Sequence, residues 1–257
     1  MSPVEQERHA TEVPALSELV ITIVHDNNPW VDSLKTAWGF SAFVTGPEKT
    51  ILFDTGSDGT LLLENMAKLQ IDPGRIDIVV LSHLHGDHTG GLTGLLKKNP
   101  RVQVFLPGSF PAKFKTAVQG HGTTLVEIKE PQEICRNVST TGVLGRRVKE
   151  QALVIRTQRG WVVLTGCAHP GVARIVKEVR HLYEESILFV IGGFHLEWMT
   201  KGRVRRIIAA FQSYGIRYVA PTHCSGDKAR QLFRQSYGAG YVEAGAGKTI
   251  TLAELTV

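Results

Sequence analysis

Ten residues constrain this chain more than any other stretch. From Ser82 to Gly91 it reads Ser-His-Leu-His-Gly-Asp-His-Thr-Gly-Gly, with three histidines and one aspartate inside six positions. The cluster follows Asp77 to Ser82, a continuous apolar run with polar flanks, which predicts a strand buried on both faces. It therefore falls at a strand's C-terminal end, where α/β folds collect their ligands. Residues two apart on extended backbone point the same way, so His83 and His85 can offer their imidazoles to one position. Gly86 lets the chain turn sharply, and Asp87 and His88 then swing toward a second, adjacent position. Neutral imidazoles and a carboxylate suit zinc, iron or manganese. A histidine-rich surface loop would account for one such residue, but not for four ligand-type side chains at this spacing directly after a buried strand.

The rest of the chain alternates strands and helices. Leu19 to His25 is β-rich and ends at the turn-forming Asp26-Asn27-Asn28-Pro29. Phe40 to Thr45 and Thr50 to Asp54 read as a hairpin, as do Ala152 to Thr157 and Trp161 to Thr165, with Gly160 in the turn. Helical spacing is expected over Thr60 to Gln70, Gly90 to Lys98, Pro111 to Val118, Gly171 to Tyr183, Lys201 to Tyr214 and Asp227 to Gln235. Further strands are expected at Arg101 to Leu106, Ile187 to Ile191, Arg217 to Ala220 and Lys248 to Leu252. Mixed sheets with helices outside them make an α/β (α+β) sandwich. With no linker and no break in composition, residues 19–257 are expected to form one domain behind a flexible lead-in, 1–18.

The His83-x-His85-x-Asp87-His88 pattern resembles the signature of the metallo-β-lactamase superfamily, and Thr89-Gly90-Gly91 resembles its entry into the next helix. Ile51-Leu52-Phe53-Asp54-Thr55-Gly56 is similar to the family's earlier strand and turn, and Pro221-Thr222-His223 to its last metal histidine. The resemblance implies a four-layer αββα sandwich with two divalent ions at one edge, zinc foremost and manganese or iron as alternatives. It assigns His83 and His85 to one ion and Asp87, His88 and His223 to the other, with Asp54 supporting them from behind.

The chain departs from the family pattern where many members carry a third histidine in Gly-His-Thr/Ser-Pro-Gly and a bridging aspartate in Thr-Gly-Asp. Here the strand from Trp161 leads into Thr165-Gly166-Cys167-Ala168-His169. His169 is expected to complete the first ligand set. Cys167, in the place of the bridging aspartate, is either a thiolate ligand or a packed thiol. His195, in Ile191-Gly192-Gly193-Phe194-His195-Leu196, is a ligand, a proton donor or a turn cap. These segments, with Asp26-Asn27-Asn28 and Pro-Thr-His-Cys-Ser-Gly, resemble a prokaryotic subfamily labelled as synthases of a dihydropterin–ribofuranosylaminobenzene phosphate. Asp26 and Asn27 are accordingly candidates for substrate contact.

The implied chemistry is hydrolysis of an ester or phosphoester in a small molecule, perhaps pterin-like or phosphate-bearing, by a hydroxide held between two metals. Asp87 and His195 would be its catalytic residues. The altered ligands leave a second reading, a metal-binding sensor or degenerate enzyme without turnover. A net charge of +5 suits an anionic substrate. No basic arm suggests nucleic acid, and no apolar run approaches a membrane span. Three scattered cysteines, without a signal peptide ahead of them, point to the reducing cytoplasm. The lone Asp54-Thr55-Gly56 lacks the second triplet an aspartic protease needs.

Overall fold

The computed structural model describes residues 14–183 and 185–256. Two sheets lie face to face. The first has the order β13-β1-β2-β3-β4-β5-β6. Its strands are β1 (Val20–His25), β2 (Ser41–Thr45), β3 (Ile51–Phe53), β4 (Ile78–Val80), β5 (Gln103–Pro107), β6 (Thr124–Ile128) and β13 (Thr249–Thr251). The second has the order β12-β11-β10-β9-β8-β7. It contains β7 (Gln132–Cys135), β8 (Val138–Thr140), β9 (Leu153–Thr157), β10 (Gly160–Thr165), β11 (Ile187–Gly193) and β12 (Tyr218–Thr222). Both expected hairpins form, β2 against β3 and β9 against β10, each antiparallel.

The continuous apolar runs have a direct cause: each central strand is covered on both faces. Ile51, Phe53, Ile78 and Val80 face the second sheet, where Leu153, Ile155, Val162, Leu164 and Phe189 meet them. Leu52 and Val79, one residue out of phase, face α1 (Gly59–Lys68) and α3 (Leu92–Lys98) on the outside. Val154, Trp161, Val163 and Val190 face α5 (Val172–Leu182), α6 (Lys201–Ser213) and α7 (Asp227–Tyr237). Helices on both outer faces of two packed sheets make the expected four layers.

The site's placement follows from strand direction. β3 through β6 run parallel, as do β10 through β12, so their C-terminal ends gather along one edge of the sandwich. Gln151 ties the two sheets together there. Its amide Nε2 donates to the Leu81 carbonyl (2.9 Å), its Oε1 accepts from Thr140 (2.6 Å), and its backbone N–H donates to the Ser82 carbonyl (3.0 Å).

Two expectations change. Residues 1–13 of the expected lead-in lie outside the described residues. Within its remainder, Leu16 pairs with the second sheet, its N–H donating to the Arg156 carbonyl (3.3 Å) and its carbonyl accepting from Gln158 (2.9 Å). Gly86 makes no sharp turn. It opens a helical turn, α2 (Gly86–Thr89), and a Cβ there would meet nothing within 4 Å.

Gln151→Leu keeps the side-chain bulk but strands the Leu81 carbonyl and the Thr140 hydroxyl in the interior. It should lower the unfolding free energy by about 1–3 kcal/mol, measurable by denaturant titration. A loss below about 0.5 kcal/mol, the scatter typical of surface substitutions, would mean that the sheets are registered without this link.

Candidate metal centre

Asp54 sits one residue past β3 with a left-handed backbone, φ 57°. It is fully buried. Its Oδ1 accepts from the Ser82 backbone N–H (2.7 Å), and its Oδ2 from the Ser82 hydroxyl (2.7 Å) and His88 Nδ1 (2.7 Å). The Ser82 oxygen lies 2.9 Å from His83 Nδ1. Because that hydroxyl donates to Asp54, it accepts from His83. One carboxylate therefore sets the tautomer of two imidazoles, leaving the Nε2 lone pairs of His83 and His88 free to bind a cation. Asn27 does the same for His223, its Oδ1 lying 2.9 Å from His223 Nδ1.

Two groups of donor atoms result. His83 Nε2 and His169 Nε2 lie 3.1 and 3.2 Å from His85 Nδ1. Beside them, Asp87, His88, Cys167 and His223 offer atoms within 4.8 Å of one another. Asp87 Oδ2 is 3.5 Å from His88 Nε2 and 3.3 Å from His223 Nε2, while Cys167 Sγ is 3.2 and 3.4 Å from the same two nitrogens.

The donor chemistry fits divalent cations. Burial, then the neighbouring imidazoles, drive His83 far below its usual pKa, and His169 is lowered to about 4 for the same reasons. Both imidazoles are therefore neutral and keep their lone pairs. Burial disfavours the Asp87 carboxylate, but the His223 hydrogen bond and the charges of His88 and His223 outweigh it and hold the carboxyl well below its usual range. His88 is shifted upward, because Asp54, Asp87 and Glu150 outweigh its burial.

The structure brings His83, His85, Asp87, His88, Cys167, His169 and His223 together at one edge. A third sulfur-bearing group adjoins them, with Cys167, His195 and Cys224 donors within 4.8 Å of each other. His195 is half-buried, its ring centroid 4.4 Å from that of His169, and its buried Nδ1 has no hydrogen-bond partner among the described residues. Donation from its ring to the Cys224 sulfur outweighs burial and raises its pKa.

Asp26 is fully buried, and its carboxylate accepts from the Asn28 N–H (2.7 Å), the Asn28 amide (2.7 Å) and the Thr222 hydroxyl (2.7 Å), so it tethers β1 to β12. Asn27 is half-buried and serves His223.

Sequence reasoning missed Glu150. This buried residue lies just ahead of β9. Its Oε1 accepts from the Cys167 and Ala168 N–H groups (2.9 and 2.7 Å) and its Oε2 from His169 N–H (2.7 Å). Burial pushes its carboxyl up to about 7 despite these bonds. It shapes the loop that presents Cys167 and His169, yet nothing in its local sequence marks it. Trp38 was missed too. It is 44% exposed and its ring centroid lies 4.9 Å from that of His223, at the open side of the site.

The metallo-beta-lactamase superfamily model matches residues 39–170, which contain Asp54, the histidine cluster and His169, and the chain belongs to that superfamily. Among its relatives is the 7,8-dihydropterin-6-methyl-4-(beta-D-ribofuranosyl)-aminobenzene-5'-phosphate synthase of Methanocaldococcus jannaschii. The two are 29% identical over 250 residues, which cover 80% of this chain and 85% of the synthase. A solved metal-dependent hydrolase of the beta-lactamase superfamily superimposes with a TM-score of 0.76 at 27% identity, covering 90% of this chain and 98% of the hydrolase. The metallo-beta-lactamase fold protein YhfI from Bacillus subtilis shares the fold at 15% identity, with a TM-score of 0.69 over 91% of this chain and 99% of YhfI. No helix of the described residues is long and apolar enough to cross a membrane.

Removing the shared carboxylate should cost both ligand groups their orientation. Asp54→Ala is expected to weaken metal affinity about 10- to 100-fold, read by competition with a chromogenic chelator while circular dichroism confirms the fold. Glu150→Ala should loosen the loop from Cys167 to His169 and reduce the metal bound per chain. Wild-type metal content in that variant would mean the loop holds its shape without the carboxylate.

Proposed function

We propose that this chain is a metal-dependent hydrolase that binds two divalent ions and cleaves an ester or phosphoester bond in an anionic small molecule. The observation that carries this reading is the pair of adjacent donor groups, in which the Nε2 lone pairs of His83, His88 and His223 are aimed inward by hydrogen bonds at Nδ1. His83, His85 and His169 would hold one ion, and Asp87, His88, Cys167 and His223 the other. A thiolate among the second group makes zinc the preferred metal. Such ions, when bound, supply an activated water and Lewis acidity toward the bond that breaks.

The protein's own residues supply orientation. Asp87 is half-buried against His88 and His223, where its carboxylate would bind metal and orient the attacking water. His195 stands beside His169 on the rim, suited to pass a proton to the departing oxygen. Asp54, Asn27 and Glu150 hold the ligand geometry without touching substrate.

The name of the M. jannaschii relative, a synthase, favours a second reading. In it the same centre activates a substrate for bond formation, with an acceptor other than water.

Elemental analysis of purified protein should find about two zinc, manganese or iron ions per chain, with chelator-sensitive turnover of a chromogenic ester and phosphodiester panel. Asp87→Ala should abolish that turnover and leave the fold intact. Full activity in this variant would end the mechanism. Absence of turnover on every substrate after metal reloading would favour the synthase reading or a ligand-binding role.

A further inference from the structure

Beside the imidazole of His85 lies an open cavity of about 330 Å³. That is near the lower end of the range for small-molecule pockets, roughly 300–1,000 Å³. Part of its lining is apolar, from Leu84, Phe110 and Val148. Leu84 lies between two histidines of the site yet is 40% exposed. Alternation along extended backbone turns His83 inward and Leu84 outward. Here the exposed leucine forms a cavity wall.

The rest of the lining is cationic. Arg147 and Lys149 border the cavity, with the Ser109 hydroxyl. No acidic side chain lines it, and neither cation takes part in the ion pairs of the described residues. The segment carrying them is tied to the ligand loop. Leu144 and Glu150 exchange backbone hydrogen bonds (2.8 and 3.0 Å), and the Glu150 carboxylate holds the N–H groups of Cys167, Ala168 and His169. Glu150 is thus turned inward to the ligands while its neighbour Lys149 is exposed at the cavity. Lys201 and Arg203 form another pair of cations, at the start of α6. Both are exposed on α6, and neither lines this cavity.

We propose that this cavity is an anion subsite. It takes the phosphate monoester of a substrate whose apolar or aromatic part lies against Leu84 and Phe110, beside His85. The proposal rests on the reading of the chain as an enzyme for anionic small molecules, and it names where that anion is held. A guanidinium can grip two phosphate oxygens at once, and an ammonium adds a point charge. Two cations balance the nearly doubly charged monoester at neutral pH. The phosphate seated here is a handle for recognition, separate from the bond that breaks at the metal ions.

The test is calorimetric binding of phenyl phosphate to the metal-loaded protein, comparing wild type with the double variant Arg147→Glu, Lys149→Glu. Both positions are exposed, so metal content should match wild type, and elemental analysis checks it. The variant should bind phenyl phosphate about tenfold or more weakly, as expected for loss of hydrogen bonds to charged groups. Wild-type affinity should fall as salt rises. Inorganic phosphate, which lacks the apolar part, should bind wild type more weakly than phenyl phosphate. The milder pair Arg147→Gln, Lys149→Gln should move affinity in the same direction by less. Equal affinity in wild type and both variants would place the phosphate on the metal ions and overturn the subsite, as would no binding to wild type. Because binding is read without turnover, charge-dependent binding in a protein that hydrolyses nothing would leave the subsite standing and remove the hydrolase reading.

Discussion

The carboxylate of Asp54 is buried without access to water, and it is tolerated there because every one of its interactions is with a hydrogen-bond donor. The pairing of β3 with β4, with Phe53 opposite Val80, brings it level with Ser82. From that position it holds the end of β4 and orients His83 and His88 together. The contact is so close that Gly166 must stay a glycine: a Cβ there would stand 2.1 Å from the Ser82 hydroxyl and 2.9 Å from Asp54 Oδ2. The second sheet approaches the first through that gap, bringing Cys167 to within 3.2 Å of His88. Loss of the Asp54 cluster would thus disturb both ligand groups and the seam between the sheets.

Backbone strain is concentrated at the same edge. Asp54, Ala168, His195 and His223 all adopt positive φ, between 49° and 59°. Non-glycine residues there cost of order 1–3 kcal/mol each. The two sheets, rigidly packed beneath, sustain that cost and aim the side chains. Bound as a thiolate, the sulfur of Cys167 would give this centre a softer donor set than a histidine and carboxylate site. Cys224 and His195 adjoin that sulfur.

Much of this was legible before any coordinates. Strand positions were readable because doubly covered strands need unbroken apolar runs, as in Ile187–Gly193. The histidine cluster was readable because its candidate donors are close in sequence, and His169 and His223 were expected from the family resemblance. Glu150, Trp38, Arg147 and Lys149 were not. Glu150 acts on backbone N–H groups 17 to 19 residues away, and a lone glutamate beside a strand carries no local signature. Asp26 looked polar and available in a turn, but the approach of Thr222, 196 residues later, enclosed it.

The sequence by itself determined the layered fold and the first candidate donor residues, because apolar periodicity and short donor spacing are properties of neighbouring residues. Tertiary structure alone decided which nitrogen of each imidazole faces inward, how a cysteine comes to share a donor group with Asp87, and which cations border the cavity. Those outcomes depend on contacts such as His88 with Cys167, 79 residues apart, and His223 with Asn27, 196 apart. Such contacts exist only once the strand ends of two sheets have been packed along one edge, and no spacing along the chain encodes their distance.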